Sequence, residues 1–278
     1  MAQGFSQTRL DRIPHFLQSQ YVDAGLLPHA AIMVSRGGEV VLNSVIGEAR
    51  PGSALQQDAI YRIASMTKSI TSIVFMMLVE EGKVTLDDPL TKFCPEFAQT
   101  GIFVAGGGNI PFVTRPMECP IRMRDLLTHT AGLTYGFQER HPVDAAYRKL
   151  RIDDFISEQS MDEFIQKLAA VPLLFNPGDH WNYSIATDVL GAVIARIEGK
   201  DLGVVLKERL FDPLGMKDTG FRVAPDQQHR LTEAYAFHPH KKMVSFDTGE
   251  GSRWAREAIE RQGAFQSGGG GLLSTTAD

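Results

Sequence analysis

The sequence predicts an α+β protein in which an antiparallel sheet begins near the N-terminus and a mostly helical portion follows. Two short apolar runs, 30–35 and 40–46, flank the stretch Arg36–Glu39 with its two glycines, which is typical of a β-hairpin. Apolar residues at helical spacing dominate the middle of the chain, whereas strand-like runs lie near its start. A sheet that begins and is then interrupted by helices indicates the α+β class.

Each further element has a local reason. Residues 8–24 carry an apolar stripe at helical spacing, and 59–63 form a third short strand-like run. Glycines and prolines predict an extended loop at 99–120. Ser160 and Glu163 have the spacing of a capping box at a helix start. Helices are also predicted at 121–127, 160–170, 185–198 and 202–210, and a weak strand at 234–237, within an irregular region at 222–262.

The predicted organisation has two parts. Residues 1–84 are the N-terminal part of an α/β domain and include the helix at 65–82, whereas 85–278 form a mostly helical domain with loops. The N-terminal hairpin alone cannot make a stable sheet. The final residues, 274–278, are typical of a helix N-terminus that has no helix after it. We therefore expect a chain truncated at its C-terminus, with the missing sheet strands beyond it.

Composition excludes several functional classes. The 278 residues are 43% hydrophobic and 22% charged, which is ordinary for a globular protein. A net charge of −5 without a long basic block argues against nucleic acid or a membrane surface as a partner. The longest uninterrupted apolar run, 73–79, is too short to span a bilayer. Residues 1–20 lack the features of a secretory signal, so a cytoplasmic location is expected.

Cysteine, histidine and glycine usage predicts no metal or cofactor. Cys94 and Cys119 are too few for a disulfide framework, and a reduced compartment is the default. The eight histidines show no metal-ligand spacing. The glycine run Gly268–Gly271 matches no nucleotide-binding pattern, and a flexible turn or an approach of its backbone N–H groups to a ligand are the two interpretations.

The stretch 64–82 carries the strongest chemical signal, a Ser-x-x-Lys followed by an apolar helix. A helix that starts near Ser65 places Ser65 and Lys68 one turn apart on the same face. A serine becomes a nucleophile when a base removes its proton, and a lysine is such a base only when neutral. Burial and the positive end of the helix dipole both favour the neutral form. The run 70–79 is apolar nearly all round, which predicts burial on most sides. The alternative is a Ser-x-x-Lys that occurs by chance.

Tyr183 is a third candidate for the same chemistry. Its hydroxyl, if close to the serine and lysine, relays a proton to a leaving group. The alternative is a core aromatic residue beside Trp181. A Ser/His/Asp triad also stays open, because the members of such triads are not local in sequence.

Four stretches occur in this order along the chain: Tyr61–Lys68, Ile121–Leu133, Pro177–Ser184 and Gly268–Thr275. Together they resemble the serine β-lactamase and penicillin-binding-protein superfamily, and most closely its class C-like branch, which includes the family VIII carboxylesterases. The resemblance implies a β-lactamase/transpeptidase-like fold, with an antiparallel sheet flanked by helices and a mostly helical domain.

The resemblance also implies roles for individual residues. Ser65 would be the nucleophile that accepts the acyl group, Lys68 its general base, and Tyr183 the residue that assists proton transfer. The Ser65 backbone N–H would contribute to the oxyanion hole. Tyr135 would line the acyl pocket. Ile185 occupies a substrate-binding position where the lactamase motif has asparagine, and because isoleucine cannot form a hydrogen bond, this departure favours the esterase branch.

These features predict a serine hydrolase that forms an acyl-enzyme and acts on short-chain esters as a carboxylesterase. A β-lactamase, a D-amino-acid peptidase and an acyltransferase on the same scaffold are the alternatives among enzymes. A catalytically incomplete binding protein is the alternative from another class, because the third motif of the superfamily would lie after Thr275, beyond the end of this chain. The expected partner is a small ester or β-lactam, and a homo-oligomer is left open.

Overall fold

The computed structural model describes residues 4–154, 158–238, 242–247 and 265–278. Within these residues the α-helices are α1 (Gln7–Leu10), α2 (Arg12–Leu17), α3 (Thr67–Glu80), α4 (Met123–Leu127), α5 (Pro142–Leu150), α6 (Met161–Ala169), α7 (Ala186–Glu198), α8 (Leu202–Leu206) and α9 (Asp212–Leu214). The strands are β1 (His29–Arg36), β2 (Glu39–Arg50), β3 (Ser53–Ala54), β4 (Tyr61–Arg62), β5 (Ile102–Gly107), β6 (Ile110–Arg115), β7 (Tyr235–His238), β8 (Lys242–Ser245) and β9 (Leu273–Ser274). Single π-helical turns, Gln18–Val22 and Lys207–Phe211, directly follow α2 and α8. Short 3₁₀ turns lie at Ala64–Met66, Leu90–Lys92, Pro95–Gln99, Gly136–Gln138 and Pro225–Arg230.

The chain divides into two compact units. The first contains the described residues of Met1–Arg62, Gly215–Gln262 and Leu273–Asp278, and the second those of Ile63–Leu214 and Gly263–Leu272. None of the four points at which the chain passes from one unit to the other coincides with the boundary predicted after residue 84, and α3 with the 3₁₀ turn before it belongs to the second unit. The organisation into domains 1–84 and 85–278 stays a prediction.

The first unit contains the predicted hairpin. β1 and β2 pair antiparallel, in a register that places His29 opposite Gly47. Gly37 and Gly38 in the turn have φ angles of +61° and +82°, which favour glycine. β3 joins β2, and β4 pairs antiparallel with β9, so the strand predicted at 59–63 is present in shortened form. The N-terminal helix predicted at 8–24 is interrupted, because α1, α2 and a π-helical turn replace one continuous helix.

The core of the second unit is built around α7. Every residue of this helix from Ala186 to Ile194 is buried. α3 packs against α7, and the glycine run lies buried beside both helices. The Thr71 hydroxyl donates a hydrogen bond to the Gly268 carbonyl (2.8 Å), and the Leu272 N–H donates to the Thr67 hydroxyl oxygen (3.1 Å). The run therefore forms a turn at Gly268–Gly270 that is buried by packing against the two helices.

α3 is buried on one face only, which corrects the expectation of burial on most sides. Its buried residues are Thr67, Thr71, Val74, Phe75 and Leu78. Ile73 and Met76 on the other side are 50% and 38% exposed. The two threonines face inward because their hydroxyls bond the backbone of the glycine run, a role that apolar spacing alone does not reveal.

The region predicted to be an extended loop at 99–120 contains a β-hairpin. β5 and β6 pair antiparallel, with Ile102 opposite Arg115. The glycines predicted to break structure instead form its turn and a bulge: Gly106 has φ +93°, and a Cβ there would lie 2.2 Å from the Pro111 carbonyl oxygen. β7, which pairs with β8, confirms the strand predicted at 234–237. Residues 239–241 and 248–262 of the predicted irregular region lie outside the described residues.

The two cysteines are free and differ in burial. Cys94 is completely buried, which raises the pKa of its thiol to about 12, whereas Cys119 is half-buried. The Cys119 thiol donates to the Pro177 carbonyl oxygen at 3.3 Å. Among the described residues there is no cluster of three histidine, cysteine or acidic side chains that could hold a metal ion. None of the helices in the described ranges has both the length and the apolar character needed to cross a membrane.

Candidate active site

Ser65 lies in the 3₁₀ turn that leads into α3. Ala64 before it has φ +46°, a left-handed conformation that is uncommon outside glycine and that turns the chain into the helix. The first N–H groups of a helix have no carbonyl partner within the helix, so the Ser65 N–H belongs to a set that binds negative charge. Lys68 follows in the first turn of α3. The predicted start of the helix near Ser65 is thus correct to within two residues.

The three residues predicted to act together meet around the Ser65 hydroxyl. The Tyr183 hydroxyl donates a hydrogen bond to Ser65 Oγ at 2.7 Å. Lys68 Nζ lies 3.4 Å from the same oxygen. Ser65 itself is exposed, whereas Lys68 and Tyr183 are half-buried. The serine oxygen therefore has a possible base on one side, a hydroxyl donor on the other, and access to solvent.

Lys68 has electron-rich neighbours on several sides. Its Nζ donates to the Gly269 carbonyl oxygen at 2.5 Å. The same atom lies 4.8 Å from the ring centroid of Tyr183 and 5.5 Å from that of Tyr135, within the range of cation–π contacts. An amine in this position can donate to Gly269 and still accept the Ser65 proton on its lone pair when it is neutral.

Tyr183 is held by the loop that follows α4. The Asn182 side chain is buried and donates to the Leu133 carbonyl oxygen at 2.8 Å, and the Asn182 N–H donates to the His129 carbonyl oxygen at 2.9 Å. The Gln138 side chain donates to the Tyr183 carbonyl oxygen. These bonds connect the second and third stretches of the resemblance, so that one loop fixes the position of the other.

His129 is a site residue that the sequence analysis did not identify. Its ring centroid lies 4.9 Å from that of Tyr183, and its Nδ1 forms a hydrogen bond with Ser184 Oγ at 3.1 Å. Burial, together with the positive charge of Lys68, lowers the pKa of His129 to about 4. The imidazole is therefore neutral near pH 7, and it packs against the tyrosine ring. Its φ of +58° explains why the chain turns sharply here.

The two predicted substrate-binding residues have different surroundings. Tyr135 stacks on Phe137 with 4.7 Å between ring centroids and lies beside Lys68, although only 2% of it is exposed. Burial, followed by the nearby Asp188 carboxylate, raises the pKa of Tyr135 well above its usual range. The Ile185 side chain is completely buried. The structure thus places Tyr135 beside Lys68, and the substrate-binding roles of Tyr135 and Ile185 stay predictions.

Two more groups at the site were missed. Asp188 is completely buried in the first turn of α7, and Gly269 supplies the carbonyl that Lys68 contacts. An acidic residue inside an otherwise apolar helix was the signal that could have revealed Asp188. Gly269 had been considered only for its N–H, whereas its carbonyl also faces the site.

Exposed apolar side chains adjoin the site residues, either as a neighbour in the chain or through contact with an aromatic ring of the site. Met66 follows Ser65 and is 69% exposed, and Trp181 is 67% exposed with its ring 6.5 Å from that of Tyr183. Phe137, stacked on Tyr135, is 52% exposed. We call Met66, Phe137 and Trp181 the apolar rim. Large exposed apolar groups around polar chemistry are typical of a binding site for an apolar ligand.

Comparison with known families agrees with the fold and the motifs. The profile of the beta-lactamase family, described as "Beta-lactamase", matches residues 17–278. The chain belongs to the beta-lactamase family. The superfamily and the fold predicted from the four stretches are therefore confirmed.

Individual relatives include proteins with named activities. The chain is 33% identical over 260 residues to Esterase EstB of Burkholderia gladioli, covering 90% of this chain and 63% of that protein. It is 37% identical over 247 residues to Protein Rv1367c of Mycobacterium tuberculosis, covering 84% of this chain and 60% of that protein. The solved structure of EstCE1, a hydrolase with promiscuous acyltransferase activity, superposes with a TM-score of 0.79 at 27% identity, covering 96% of this chain and 70% of that one.

The chain spans between 60% and 63% of the length of these two sequence relatives. Relatives of serine-hydrolase and esterase type are thus among its family members. The reaction and substrate of this chain do not follow from their names, and the roles of Ser65, Lys68 and Tyr183 are developed below as a proposal.

Proposed function

We propose that the protein is a carboxylesterase that forms an acyl-enzyme on Ser65 and acts on esters with short acyl chains. The observation that carries this proposal is the arrangement around Ser65 Oγ, which has the Tyr183 hydroxyl at 2.7 Å and Lys68 Nζ at 3.4 Å. A nucleophile with a base and a proton donor within reach is the arrangement that acyl transfer requires. Similarity to an esterase and to a hydrolase of the same fold supports it.

The reaction divides into two half-reactions. Neutral Lys68 takes the Ser65 proton while Oγ attacks the ester carbonyl, and the resulting oxyanion is stabilised by the Ser65 N–H at the helix start. The intermediate collapses when the C–O bond to the alcohol breaks, and the Tyr183 hydroxyl donates a proton to the departing oxygen. Lys68 returns its proton through Tyr183. Water then attacks the acyl-enzyme by the same route, releasing the acid and restoring Ser65.

The surroundings of Ser65 favour an ester with apolar groups over a β-lactam or a peptide terminus. The apolar rim offers contact area to an apolar acyl or alcohol group. Ile185, at the position where the lactamase motif has asparagine, is buried and offers no side-chain hydrogen bond to the amide of a β-lactam. A β-lactamase or D-amino-acid peptidase is therefore the weaker proposal.

The test compares two substrates on one protein. Turnover of p-nitrophenyl butyrate and of a chromogenic cephalosporin is measured side by side, with Ser65→Ala as the control. We expect ester hydrolysis that disappears in Ser65→Ala and slower or absent cephalosporin hydrolysis. A higher rate on the cephalosporin contradicts the ester proposal, and ester hydrolysis that survives in Ser65→Ala contradicts the assignment of the nucleophile.

A second measurement separates an enzyme from a binding protein. A fluorophosphonate adds covalently to an activated serine, and mass spectrometry of the digested protein locates the adduct. Labelling at Ser65 supports the acyl-enzyme. A cooperatively folded protein that stays unlabelled supports a catalytically incomplete binding protein instead.

Acyl transfer to an alcohol is the second candidate function. The apolar rim could also hold an alcohol acceptor, and EstCE1 combines hydrolase and acyltransferase activity. Adding a primary alcohol to the ester assay tests this candidate, since an acceptor that competes with water produces a new ester. A product mixture in which the free acid is the only product that carries the acyl group contradicts it.

A further inference from the structure

We propose that Asp188 is a positioning residue that holds Lys68 in place through Gly269. This inference rests on the proposed function, because it assigns to Asp188 a role in acylation of Ser65. The hydrogen bonds of Asp188 go to Ser267 and Gly269 rather than to Ser65, so it acts through another group.

Asp188 and Lys68 meet at opposite ends of one residue. Asp188 Oδ1 accepts a hydrogen bond from the Gly269 N–H at 3.0 Å and another from the Ser267 hydroxyl at 2.5 Å. The carbonyl of the same Gly269 accepts the hydrogen bond from Lys68 Nζ at 2.5 Å. Fixing the N–H of Gly269 therefore fixes the residue whose oxygen orients the lysine.

Close packing reinforces these hydrogen bonds. A Cβ at position 269 would lie 2.2 Å from Asp188 Oδ2 and 3.1 Å from the Tyr135 hydroxyl oxygen. A Cβ at position 268 would lie 2.9 Å from the Thr187 carbonyl oxygen. The carboxylate thus rests directly against the Gly269 backbone, and this contact is available only because the residue has no side chain.

A carboxylate at this place is costly for the fold. Asp188 is completely buried, and burial raises the pKa of its carboxyl group, with the hydroxyl of Ser267 and the charge of Lys68 acting in the opposite direction. Burying an ionisable group without a direct ion pair destabilises a protein. An apolar residue would pack here without this cost, and it would leave the Gly269 N–H without its acceptor.

Asp144 is a matched control within the same unit. It is also completely buried, lies in the first turn of α5, and accepts one hydroxyl and one backbone N–H, from Thr134 (2.8 Å) and Arg140 (3.0 Å). Its hydrogen bonds do not reach Gly269, the residue that Lys68 contacts. They lead instead to Arg140, whose guanidinium donates to the Asn182 side chain beside Tyr183. Asp144→Ala therefore reports the loss of a buried carboxylate without the loss of the proposed positioning.

The experiment measures kcat and KM for the ester in Asp188→Ala, Asp188→Asn and Asp144→Ala of the full chain. We expect Asp188→Ala to lower kcat by about 10²-fold with little change in KM, since misplacement of a catalytic group by about 1 Å costs that much. Asn can accept the same two hydrogen bonds, so Asp188→Asn should recover most of the lost kcat. Asp144→Ala should lower the melting temperature and lower kcat much less than Asp188→Ala, because its link to Tyr183 runs through Arg140 and Asn182.

A crystal structure of each variant gives a readout that does not depend on activity. We expect the contact between Lys68 Nζ and the Gly269 carbonyl to be lost in Asp188→Ala and kept in Asp188→Asn and Asp144→Ala. A retained contact in Asp188→Ala, or an equal fall of kcat in Asp188→Ala and Asp144→Ala, overturns the proposal. A kcat in Asp188→Asn as low as in Asp188→Ala shows that charge acts rather than position, and overturns it as well.

Two further measurements distinguish a failure of this proposal from misfolding of the variant and from a failure of the proposed function. If Asp188→Ala does not fold, Ser267→Ala removes one partner of the carboxylate and is tested in the same assays with the same expected direction. If the wild-type protein hydrolyses no ester, the proposed function fails, whereas the crystallographic contact still decides the positioning of Lys68.

Discussion

Asp144 and Asp188 are two buried carboxylates with nearly the same local chemistry. Each lies in the first turn of a helix, is completely buried, and accepts a hydroxyl and a backbone N–H. An acidic residue in the first turn is also favoured by the helix dipole in both cases. Considered alone, either residue is a structural connection between a helix and a neighbouring segment.

The two differ in what lies at the far end of the segment that they hold. Asp144 holds the N–H of Arg140, whose guanidinium bonds the Asn182 side chain beside Tyr183, whereas Asp188 holds Gly269, whose carbonyl contacts Lys68 directly. A buried polar residue therefore contributes to chemistry through the group that its hydrogen-bond partner contacts in turn, and not through its own hydrogen bonds alone. Substitution in turn of the lysine, the glycine and the hydroxyl residues tests whether the two carboxylates differ in this way.

Removing the lysine should have the largest effect, because the link to Lys68 through Gly269 is what distinguishes Asp188 from Asp144. Lys68→Ala should lower the rate of acylation by about 10³-fold, the usual size of a general base contribution, and leave the fold intact. The rate of fluorophosphonate labelling at Ser65 measures this effect. Near-normal labelling would mean that the base lies elsewhere and that the two carboxylates are functionally equivalent.

Adding a methyl group at Gly269 should have the next largest effect. Gly269→Ala places a Cβ 2.2 Å from Asp188 Oδ2, and such overpacking costs about 1–3 kcal/mol in the free energy of unfolding. In an Asp188→Ala background this clash is absent, so the cost should be smaller. Urea unfolding of the single and double variants gives the coupling energy.

The glycine near the other carboxylate provides the control. A Cβ at Gly136 would lie 2.9 Å from Arg148 Cγ and 3.0 Å from Asp153 Oδ1, and Asp144 is not among its nearest neighbours. Gly136→Ala and Asp144→Ala should therefore have additive effects on the free energy of unfolding. Equal coupling in both pairs would show that the packing at Gly269 is not specific.

Removing the hydroxyl partners should have similar effects on stability and different effects on rate. Ser267→Ala and Thr134→Val each take one donor from a buried carboxylate, at a cost of about 1–2 kcal/mol. Ser267→Ala should lower kcat more than Thr134→Val, because Ser267 shares its acceptor with Gly269, whereas the Thr134 hydroxyl reaches the site only through Gln138. Thermal melting and ester kinetics on both variants separate the two effects, and an equal loss of kcat would contradict the distinction.

The smallest expected effect concerns His129, whose protonated form is repelled by the charge of the same lysine. Its pKa is lowered from the usual 6.5 to about 4 in the folded protein, first by burial and then by Lys68. The unfolded chain therefore binds the proton more readily, and the stability that His129 contributes above pH 6.5 is lost as the pH falls toward 4.

His129→Asn should remove this part of the pH dependence. Asparagine tolerates the positive φ at this position and can hydrogen-bond Ser184, so that the turn is retained. The free energy of unfolding is measured by urea titration between pH 4 and 6.5 for both proteins. Equal slopes in the variant and the wild type would show that another group dominates acid unfolding.

The sequence predicted which side chains meet around Ser65 better than it predicted the details of the fold. Ser65, Lys68 and Tyr183 meet as expected, because the helical spacing fixes the first two and the resemblance supplies the third. Asp188 and His129 were missed. Their partners, Ser267 and Tyr183, are distant in sequence, so that neither spacing nor composition indicates which side chains they face.

The errors in the fold have a common physical cause. The stretch 99–120 was predicted to be a loop because glycine usually ends regular structure, yet here glycines with positive φ form the turn and bulge of a hairpin. α3 was predicted to be buried on most sides from its apolar content, yet its buried face includes Thr67 and Thr71. In both cases hydrogen bonds to another backbone segment, β6 for β5 and the segment Gly268–Leu272 for α3, override the local preference.

Because the two cysteines differ in burial, a thiol reagent should label the unsubstituted protein at a single site. Because the thiolate is the reactive form, the completely buried Cys94, with a thiol pKa of about 12, should resist alkylation. Cys119 is half-buried and bonded only weakly, to the Pro177 carbonyl oxygen. A maleimide fluorophore should therefore attach to Cys119 without any substitution. It would stand beside the turn that leads to Trp181, where changes in its emission would follow the arrival of substrate in real time.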